Sequence, residues 1–367
     1  MDEVIPRPTE AWEKCEATLD ERGTPLPLYH RAIWARSSAA SGASCSLVPI
    51  RNADGICRAA FALESRPSRA LPRHRNISIL RLGIGSGGLD EAALDAGLRT
   101  VLRYARADRS VLRVHVEAFA LESQARLRTS ELLARHGFVR VEASRTYERT
   151  LVVDLSKSEA DLLAGFHKNA RQGIRNIARH PVALTVADSV ALAPRLQQLS
   201  DETRARTQGE SRPLDWRSII RMSTDAPQLS RIAILKRTDR DGPNAVLAFA
   251  WGCVHGPVAE YSESGSARPD AMKVSTSYAL LWDLMSWARR SGAGIFDLGG
   301  ITSGGTNSDD PLGGISDFKR RFSQTEVAAG QEWQLEPHPA RAVAARIISG
   351  SAGFIRSVAV GLAGRWQ

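Results

Sequence analysis

The stretch Gly294-Ile295-Phe296-Asp297-Leu298-Gly299-Gly300 indicates the fold class of this chain. Its short apolar run is bounded by glycines, which predicts a buried β-strand at 294–298. A predicted helix at 275–290 comes before this strand, and a polar loop at 299–314 follows it. Alternation of strands and helices favours a mixed α/β sheet. In such sheets ligands bind beyond the carboxyl ends of the strands, which is where Asp297 lies.

The same order of strands and helices occurs twice along the chain. In the first half, the predicted strands lie at 46–50, 55–64, 77–82, 111–116, 138–141 and 147–154. The predicted helices of that half lie at 90–107 and 123–135. In the second half, the predicted strands lie at 182–186, 231–236, 245–254, 258–263, 294–298 and 326–335. We therefore predict two tandem copies of one α/β fold, each with a mixed sheet, and a central cleft between them.

The composition is that of a folded protein with an anionic partner. The chain has 367 residues, of which 43% are hydrophobic and 24% are charged, and this excludes wholesale disorder. Lysine and arginine number 49 against 40 for aspartate and glutamate, which gives a net charge of +9. The excess favours a nucleic acid, a nucleotide-linked substrate or an acidic membrane surface as partner.

The cysteine and histidine patterns limit which cellular compartments and which cofactors can be expected. The four cysteines form no Cys-x-x-Cys pair and are too sparse for a disulfide framework, so a reducing compartment is expected. The eight histidines show no metal-binding spacing, so we predict no metal and no tightly bound cofactor. No secretory leader is visible, and the longest apolar stretch, 245–254, is about half of a membrane span. We predict a cytoplasmic protein, with the inner face of the membrane as the alternative location.

A basic helical connector at 159–179 carries the first candidate site. At 3.6 residues per turn, its cations share one stripe, while Phe166, Ala170, Ile174 and Ile177 form the opposite, buried stripe. The stripe consists of Lys168, Arg171, Arg175 and Arg179. No carboxylate interrupts it, and like charges at this spacing need solvent or an anion. We predict that it binds substrate, with a merely solvated face as the alternative.

The second candidate site combines the strand at 294–298 with the helix at 315–322. Lys319 and Arg320 follow the polar loop, with Phe318 and Phe322 as apolar anchors. A lysine held in this way can donate to the oxyanion that develops when an acyl carbonyl is attacked. We predict Lys319, Phe318 and Asp297 as catalytic residues. The predicted substrate-binding residues at this site are Arg320, Gly299, Gly300 and Tyr261.

A third, weaker candidate is the glycine-rich segment at 83–88. It lies between a predicted strand and a predicted helix, where backbone amides can hold a phosphate group. The full spacing of a dinucleotide-binding loop is absent, so a simple turn is the alternative.

These patterns divide the chain into five parts. They are an N-terminal extension at 1–28, a first domain at 29–155, the basic connector at 156–181, a second domain at 182–337 and a C-terminal tail at 338–367. The tail contains four arginines and no acidic residue. A basic amphipathic segment can lie on an anionic membrane, so we predict either membrane contact through 340–366 or packing of this segment on the protein.

Three motifs, taken in order, resemble the FemABX family. They are Leu155–Glu159 running into Gly165–Arg175, then Phe296–Gly300, then Gly314–Phe322. The resemblance covers about residues 29–337. It departs from the family in two places, because Ser323 stands where glycine is usual and the interval 189–227 has no room for the long helical hairpin of some members.

The resemblance implies two domains of the GNAT acyltransferase fold. It also implies transfer of an aminoacyl group from aminoacyl-tRNA to an amine, typically on the stem peptide of a nucleotide-linked or lipid-linked peptidoglycan precursor. Phe318 and Lys319 match the family's Phe-Lys pair, whose lysine lies at the transfer site, and Arg171 and Arg175 match its basic helix. The alternatives are an acyl-CoA-dependent N-acyltransferase linked to polysaccharide or cell-envelope biosynthesis and a non-catalytic module that binds an anionic ligand.

Overall fold

The structure is a computed structural model that describes residues 4–85, 89–142, 144, 146–207, 214–267, 275–306 and 308–348. Its helices are α1 (Glu10–Glu21), α2 (Ala32–Ala39), α3 (Glu91–Ala107), α4 (Ser123–Arg135), α5 (Glu159–Gly165), α6 (Lys168–Asn176), α7 (Ala193–Thr207), α8 (Trp216–Asp225), α9 (Thr276–Arg290) and α10 (Gly313–Arg320). Its strands are β1 (Ile5–Pro6), β2 (Ser44–Arg51), β3 (Cys57–Pro67), β4 (Arg75–Leu82), β5 (Val111–Phe119), β6 (Val139–Arg140), β7 (Arg149–Asp154), β8 (Val182–Val186), β9 (Ser230–Arg237), β10 (Val246–His255), β11 (Val258–Ser266), β12 (Ile295–Gly300), β13 (Glu326–Ala328) and β14 (Gly330–Leu335).

The strands assemble into two mixed sheets with the same plan. Sheet 1 has the order β1-β2-β3-β4-β5-β14-β6, and sheet 2 has the order β8-β9-β10-β11-β12-β7-β13. Each sheet contains one parallel pair, β4 with β5 or β11 with β12, and a long helix, α3 or α9, connects the two parallel strands. Parallel neighbours need such a crossover, whereas antiparallel neighbours need only a turn. The predicted α/β class and the duplication are confirmed.

Each sheet is completed by a strand from the other half of the chain. β7 pairs with β12 and β13 in sheet 2, and β14 pairs with β5 and β6 in sheet 1. This corrects the boundary predicted at residue 155, because the last strand predicted for the first domain, at 147–154, lies in sheet 2, and the second part of the strand predicted at 326–335 lies in sheet 1. Both strands mix buried and less buried residues without strict alternation, so their pattern does not indicate which sheet they join.

The N-terminal segment packs against sheet 1 and is not a separate extension. This corrects the domain boundary predicted at residue 28. β1 pairs with β2, and α1 buries Trp12, Cys15 and Leu19. A disulfide joins Cys15 to Cys57 at the start of β3, while Cys45 and Cys253 are buried thiols. The disulfide differs from the expectation of a reducing compartment, and its cysteines lie 42 residues apart in the sequence, so no short spacing motif marks the pair.

The C-terminal tail begins as a helix at 339–348 that packs on the protein. Ala342 and Ala345 are buried, and Arg341 donates to Nε2 of His74 at 3.1 Å. The rest of the tail, which includes most of the segment predicted to contact a membrane, lies outside the described residues. Within the described part of the chain, no helix combines the length and the hydrophobicity that a membrane span requires.

A buried ion pair joins the two sheets. Arg81, near the end of β4, donates from Nε and Nη2 to the two carboxylate oxygens of Glu260 on β11, at 3.1 and 3.0 Å. Its Nη1 donates to Oγ1 of Thr146 at 2.6 Å. The guanidinium lies over the rings of Phe119 and Tyr147, 4.5 and 4.8 Å from their centroids. Glu260 is 3% exposed, so Arg81 supplies the charge that allows this carboxylate to be buried.

We expect Arg81→Met to lower the free energy of unfolding by about 3–5 kcal/mol, because Glu260 would remain buried without its partner. The double variant Arg81→Met/Glu260→Met is the matched control and should recover a large part of this loss, since no buried carboxylate is left at that position. Urea unfolding of the three proteins measures the effect. A loss below about 1 kcal/mol in the single variant would show that the ion pair does not hold the sheets together.

Candidate functional site

The site begins where β11 and β12 separate. The two strands are in parallel register from Val258 opposite Ile295 to Glu260 opposite Asp297. Beyond that point the backbone turns at Gly299, whose φ of +76° is in the left-handed region that favours glycine. A Cβ atom at Gly299 would lie 3.2 Å from the carbonyl oxygen of Tyr261 and 3.3 Å from Nζ of Lys319. Glycine is therefore required both for the turn and for the approach of Lys319.

Asp297 lies at the carboxyl end of the parallel pair, as predicted, but it is fully buried. Its carboxylate accepts hydrogen bonds from the Tyr147 hydroxyl at 2.9 Å, from the Gly299 amide at 2.7 Å and from the Thr150 hydroxyl. Burial raises the pKa of Asp297, and the nearby Glu260 adds to this effect. These donors occupy both carboxylate oxygens, so the geometry makes Asp297 the anchor of the Gly299 turn.

Lys319 extends from α10 into the gap between the separating strands. Its side chain is nearly enclosed, with the residue 7% exposed, and Nζ donates to the carbonyl oxygen of Gly300 at 2.7 Å. Nζ also lies 5.9 Å from the ring centroid of Tyr261. Burial lowers the pKa of Lys319 to about 8, although the Asp297 carboxylate opposes this shift. Lys319 therefore places an amino group with a lowered pKa in a site that excludes most water.

Phe318 and Gly300 support this arrangement from two sides. Phe318 is half-buried and packs against Tyr278 and Phe322, with ring centroids 5.1 and 5.5 Å apart. A Cβ atom at Gly300 would lie 2.5 Å from Cβ of Tyr147, so this position needs glycine for packing. Tyr261, which was predicted to bind substrate, forms the wall beside Nζ of Lys319.

Arg320 braces the polar loop that follows β12. Its guanidinium donates to the carbonyl oxygens of Gly304 and Thr302 and to the carboxylate of Asp317, at 2.8–2.9 Å. Asp317 in turn accepts from the amide and the hydroxyl of Thr306. Arg320 is therefore engaged by the loop in this structure, and its predicted contact with substrate stays a prediction.

The basic connector folds as two short helices instead of one. α5 ends at Gly165, and the His167 side chain caps α6 by accepting from the Asn169 amide. Arg171 turns back and donates to the carbonyl oxygens of Ala164 and Phe166, at the end of α5. The remaining cations of the predicted stripe are exposed, namely Lys168, Arg175 and Arg179. Three of the four predicted cations are thus free to meet an anion, while Arg171 stabilises the connector.

An aromatic cluster connects this connector to α10. The ring of Phe166 packs against Phe322 with centroids 5.2 Å apart, and Phe322 packs against Tyr278 of α9. On the other side, Gly173 of α6 lies so close to Tyr278 that a Cβ atom would be 2.3 Å from its ring. The exposed cations and Lys319 therefore lie on elements that share one apolar core.

Tyr147 and Thr150 are the site residues that the sequence analysis missed. Both come from the first half of the chain, in and just before β7, and both donate to Asp297. Nothing in their local pattern marks them, because their contact with Asp297 depends on the exchange of β7 into sheet 2. Across the described residues, no group of three or more His, Cys, Asp or Glu is close enough to hold a metal ion.

Because the charge of Lys319 is buried, we expect the difference in stability between the wild type and Lys319→Met to depend on pH. Its pKa falls from 10.5 in the exposed state to about 8 in the folded chain, so the unfolded chain binds this proton more tightly. Below about pH 8 both states are protonated and the buried charge costs stability; the cost is relieved as pH rises through the window from 8 to 10.5. Relative to Lys319→Met, the wild type should therefore gain up to about 3 kcal/mol across this window.

Urea unfolding of both proteins at the two ends of the window measures this gain. If the difference in stability between the two proteins is the same at both pH values, the ammonium group is not buried as described.

The comparisons with known proteins agree with this geometry. The profile of the family described as acetyltransferase (GNAT) domain matches residues 164–320, which include α6, the β11–β12 pair and Lys319. Among curated proteins, none matches the sequence.

Three solved structures show the same fold over nearly the whole chain. FemX has a TM-score of 0.69 at 14% identity, over 91% of this chain and 97% of FemX. L-PGS from Bacillus licheniformis has a TM-score of 0.52 at 15% identity, over 94% and 99% of the two chains. The C-terminal domain of a putative lysylphosphatidylglycerol synthetase from Agrobacterium fabrum has a TM-score of 0.50 at 16% identity, over 93% and 96%.

At these identities the solved structures show a shared fold, and the domain match supplies the enzyme class. The predicted resemblance and the predicted tandem GNAT fold are both confirmed. The chain has the fold of FemX, and its residues 164–320 match the acetyltransferase (GNAT) domain, which makes acyltransferase the enzyme class that the comparisons support.

Proposed function

We propose that this protein transfers an aminoacyl group from aminoacyl-tRNA to a substrate amine, and that Lys319 stabilises the transition state. The observation that carries the proposal is the enclosed ammonium group of Lys319, held by Gly300 in the gap between β11 and β12. The acceptor is an amine on a cell-wall peptide or on another envelope or metabolite molecule. The reaction takes place in the cytoplasm. If the acceptor is an envelope precursor, the protein binds it at the inner face of the membrane.

The chemistry needs one cation at the reacting carbonyl. The amine nitrogen attacks the ester carbonyl, the C–N bond forms, and negative charge develops on the carbonyl oxygen. When the tetrahedral intermediate collapses, the ester C–O bond breaks, and the proton lost by the amine replaces the acyl group on the departing ribose oxygen. A fixed donor in a site with little water stabilises the developing charge far more than one in bulk water.

The residues around Lys319 position it and do not react. Asp297 holds the Gly299 turn, and Tyr147 and Thr150 hold Asp297. Because both oxygens of Asp297 are engaged, proton removal falls to the substrate's own groups or to solvent. The ring of Tyr261 lies beside Nζ and limits the access of water to it.

The exposed cations of α6 support tRNA as the donor. Lys168, Arg175 and Arg179 present three positive charges without a carboxylate partner among the described residues. One fold relative is named as a putative lysylphosphatidylglycerol synthetase, and the product in that name carries an aminoacyl group. The net charge of +9 favours association with a polyanion.

The alternative donor is an acyl-CoA, and the match to an acetyltransferase (GNAT) domain favours it. A diphosphate would need the N-terminal amides of α9, where Ser275 makes no side-chain cap. The segment 268–274 before Ser275 lies outside the described residues. Among the described residues, a cavity lined by Tyr261, Ser264 and Ser277 has a volume of only about 10 Å³, enough for about one water molecule. A cavity of this size does not hold the pantetheine arm of an acyl-CoA, which favours a donor that binds mainly outside the second sheet.

We expect Lys319→Met to lower kcat/KM for aminoacyl transfer by about 100-fold to 1,000-fold, the usual effect of removing one oxyanion donor. Lys14→Met, at an exposed lysine of α1, is the matched control and should leave the rate unchanged. The wild-type rate should fall as pH rises above the lysine's pKa of about 8, because the neutral amine no longer stabilises the oxyanion. A rate within twofold or threefold of wild type in Lys319→Met would refute the assignment.

A screen with radiolabelled aminoacyl-tRNA and acetyl-CoA, each with a set of amine acceptors, separates the two donors. Transfer from aminoacyl-tRNA alone supports the proposal, and transfer from acetyl-CoA alone supports the alternative. Failure of both donors to react would favour the non-catalytic module.

The stripe on α6 predicts a salt-dependent defect in tRNA binding. We expect Lys168→Gln/Arg175→Gln/Arg179→Gln to weaken binding and to reduce the slope of log Kd against log salt by about 2, since each phosphate contact contributes roughly 0.7–0.9. The control Arg58→Gln/Arg106→Gln/Arg217→Gln removes the same charge from exposed positions elsewhere. Filter binding across a salt series measures both, and equal slopes in the two variants would contradict a specific role for the stripe.

A further inference from the structure

The first domain contains a cavity beside the ends of its parallel strands, β4 and β5. In sheet 2, α10 follows β12 and sends Lys319 into the gap beside the parallel pair. In sheet 1, α4 follows β5 in the same way, and the corresponding gap is a cavity of about 320 Å³. This volume is within the range of small-molecule sites. The parallel pair of sheet 2 therefore has a lysine beside it, and the parallel pair of sheet 1 has a cavity beside it.

The walls of this cavity are mainly aliphatic. They come from the ends of β4 and β5, from the first turns of α3 and from α4, and consist of Leu82, Leu89, Leu94, Ala120, Ala125 and Leu132. Thr129 is the buried polar residue of the wall, and its hydroxyl is satisfied by the carbonyl oxygen of Ala125 at 2.9 Å. Such a lining favours a hydrocarbon group and offers little to a polar one.

Three charged residues lie on the rim, and only one of them lacks a compensating group. Glu91 accepts from Arg135 at 2.8 Å. Asp90 caps α3 by accepting from the Ala93 amide at 2.7 Å, where the positive end of the helix dipole compensates its charge. Arg128 is exposed and forms no ion pair with any residue that the structure describes. The uncompensated charge at the mouth of the cavity is therefore a guanidinium group.

The α3 terminus is closed to a diphosphate. A phosphate group at a helix N-terminus needs free amides and a positive field. Here the Asp90 carboxylate already accepts from one of these amides, and Glu91 adds a second negative charge in the first turn. This disagrees with the phosphate cradle that the glycines at 83–88 suggested, of which 86–88 lie outside the described residues. The anionic end of a ligand must instead meet Arg128.

We propose that this cavity binds the aliphatic chain of a carboxylate, with the chain between β4, β5, α3 and α4 and the carboxylate on Arg128. The ligand is recognised by burial of methylene groups and by one charge-assisted contact to the guanidinium. The site is separate from Lys319 and goes beyond the proposed transfer reaction. It gives the first domain a binding function of its own.

Calorimetric titration of the full-length protein with octanoate tests the proposal. Octylamine has the same chain with the opposite charge, and octanoyl-CoA has the chain with a diphosphate. We expect octanoate to bind and to raise the Tm, and we expect both other probes to bind at least about tenfold more weakly. Equal or tighter binding of octylamine or octanoyl-CoA, or no binding of octanoate at millimolar concentration, overturns the proposal.

Two variants locate the site. Ala125→Trp fills the cavity and should abolish octanoate binding, whereas Ala107→Trp, at an exposed position at the end of α3, should not. Arg128→Gln should weaken octanoate about tenfold and leave the Tm of the free protein unchanged, so it tests the contact even if the tryptophan variant is unstable. Lys319→Met should bind octanoate like the wild type, which keeps this test independent of the transfer reaction. Wild-type affinity in Ala125→Trp or in Arg128→Gln would contradict the assignment.

Discussion

The exchange of β7 and β14 between the two sheets is the constraint on which the rest of the structure depends. β7 brings Thr150, with Tyr147 just before it, to the buried carboxylate of Asp297 in the second sheet. Asp297 holds the Gly299 turn, and that turn makes room for Lys319. The candidate site of the second domain is therefore built partly by the first half of the chain. Separation of the halves would leave Asp297 buried without two of its donors, which is costly in an apolar interior.

The two copies of the fold use the same gap differently. Beside β11 and β12 the gap is filled by the amino group of Lys319, whose pKa burial lowers to about 8. Beside β4 and β5 the gap is an aliphatic cavity with Arg128 at its mouth. The Arg81–Glu260 ion pair joins the sheets close to both places, so neither domain moves independently without breaking a buried charge pair.

The candidate site was predictable in part. Lys319 and Phe318 stand in a motif, and a motif is local, so their selection as candidates needed only the sequence. On the predicted buried side of the connector, Phe166 and Ala170 are buried, whereas Ile174 and Ile177 are half-buried. Three of the four predicted cations are exposed. Arg171 behaves differently because the helix breaks after Gly165 and leaves carbonyl oxygens that this guanidinium satisfies. The enclosure of Asp297 and the engagement of Arg320 by the polar loop have no local signature at all.

The sequence by itself determined the α/β class, the duplication and most of the elements, because hydrophobic period and helix-ending residues act over a few positions. The helix predicted at 123–135 and the structure's α4 have the same bounds, for example. Only the tertiary structure decided which sheet each closing strand joins and which charges are buried together. Arg81 and Glu260 are 179 residues apart in the chain, and their pairing comes from the packing of two sheets, which no local pattern encodes.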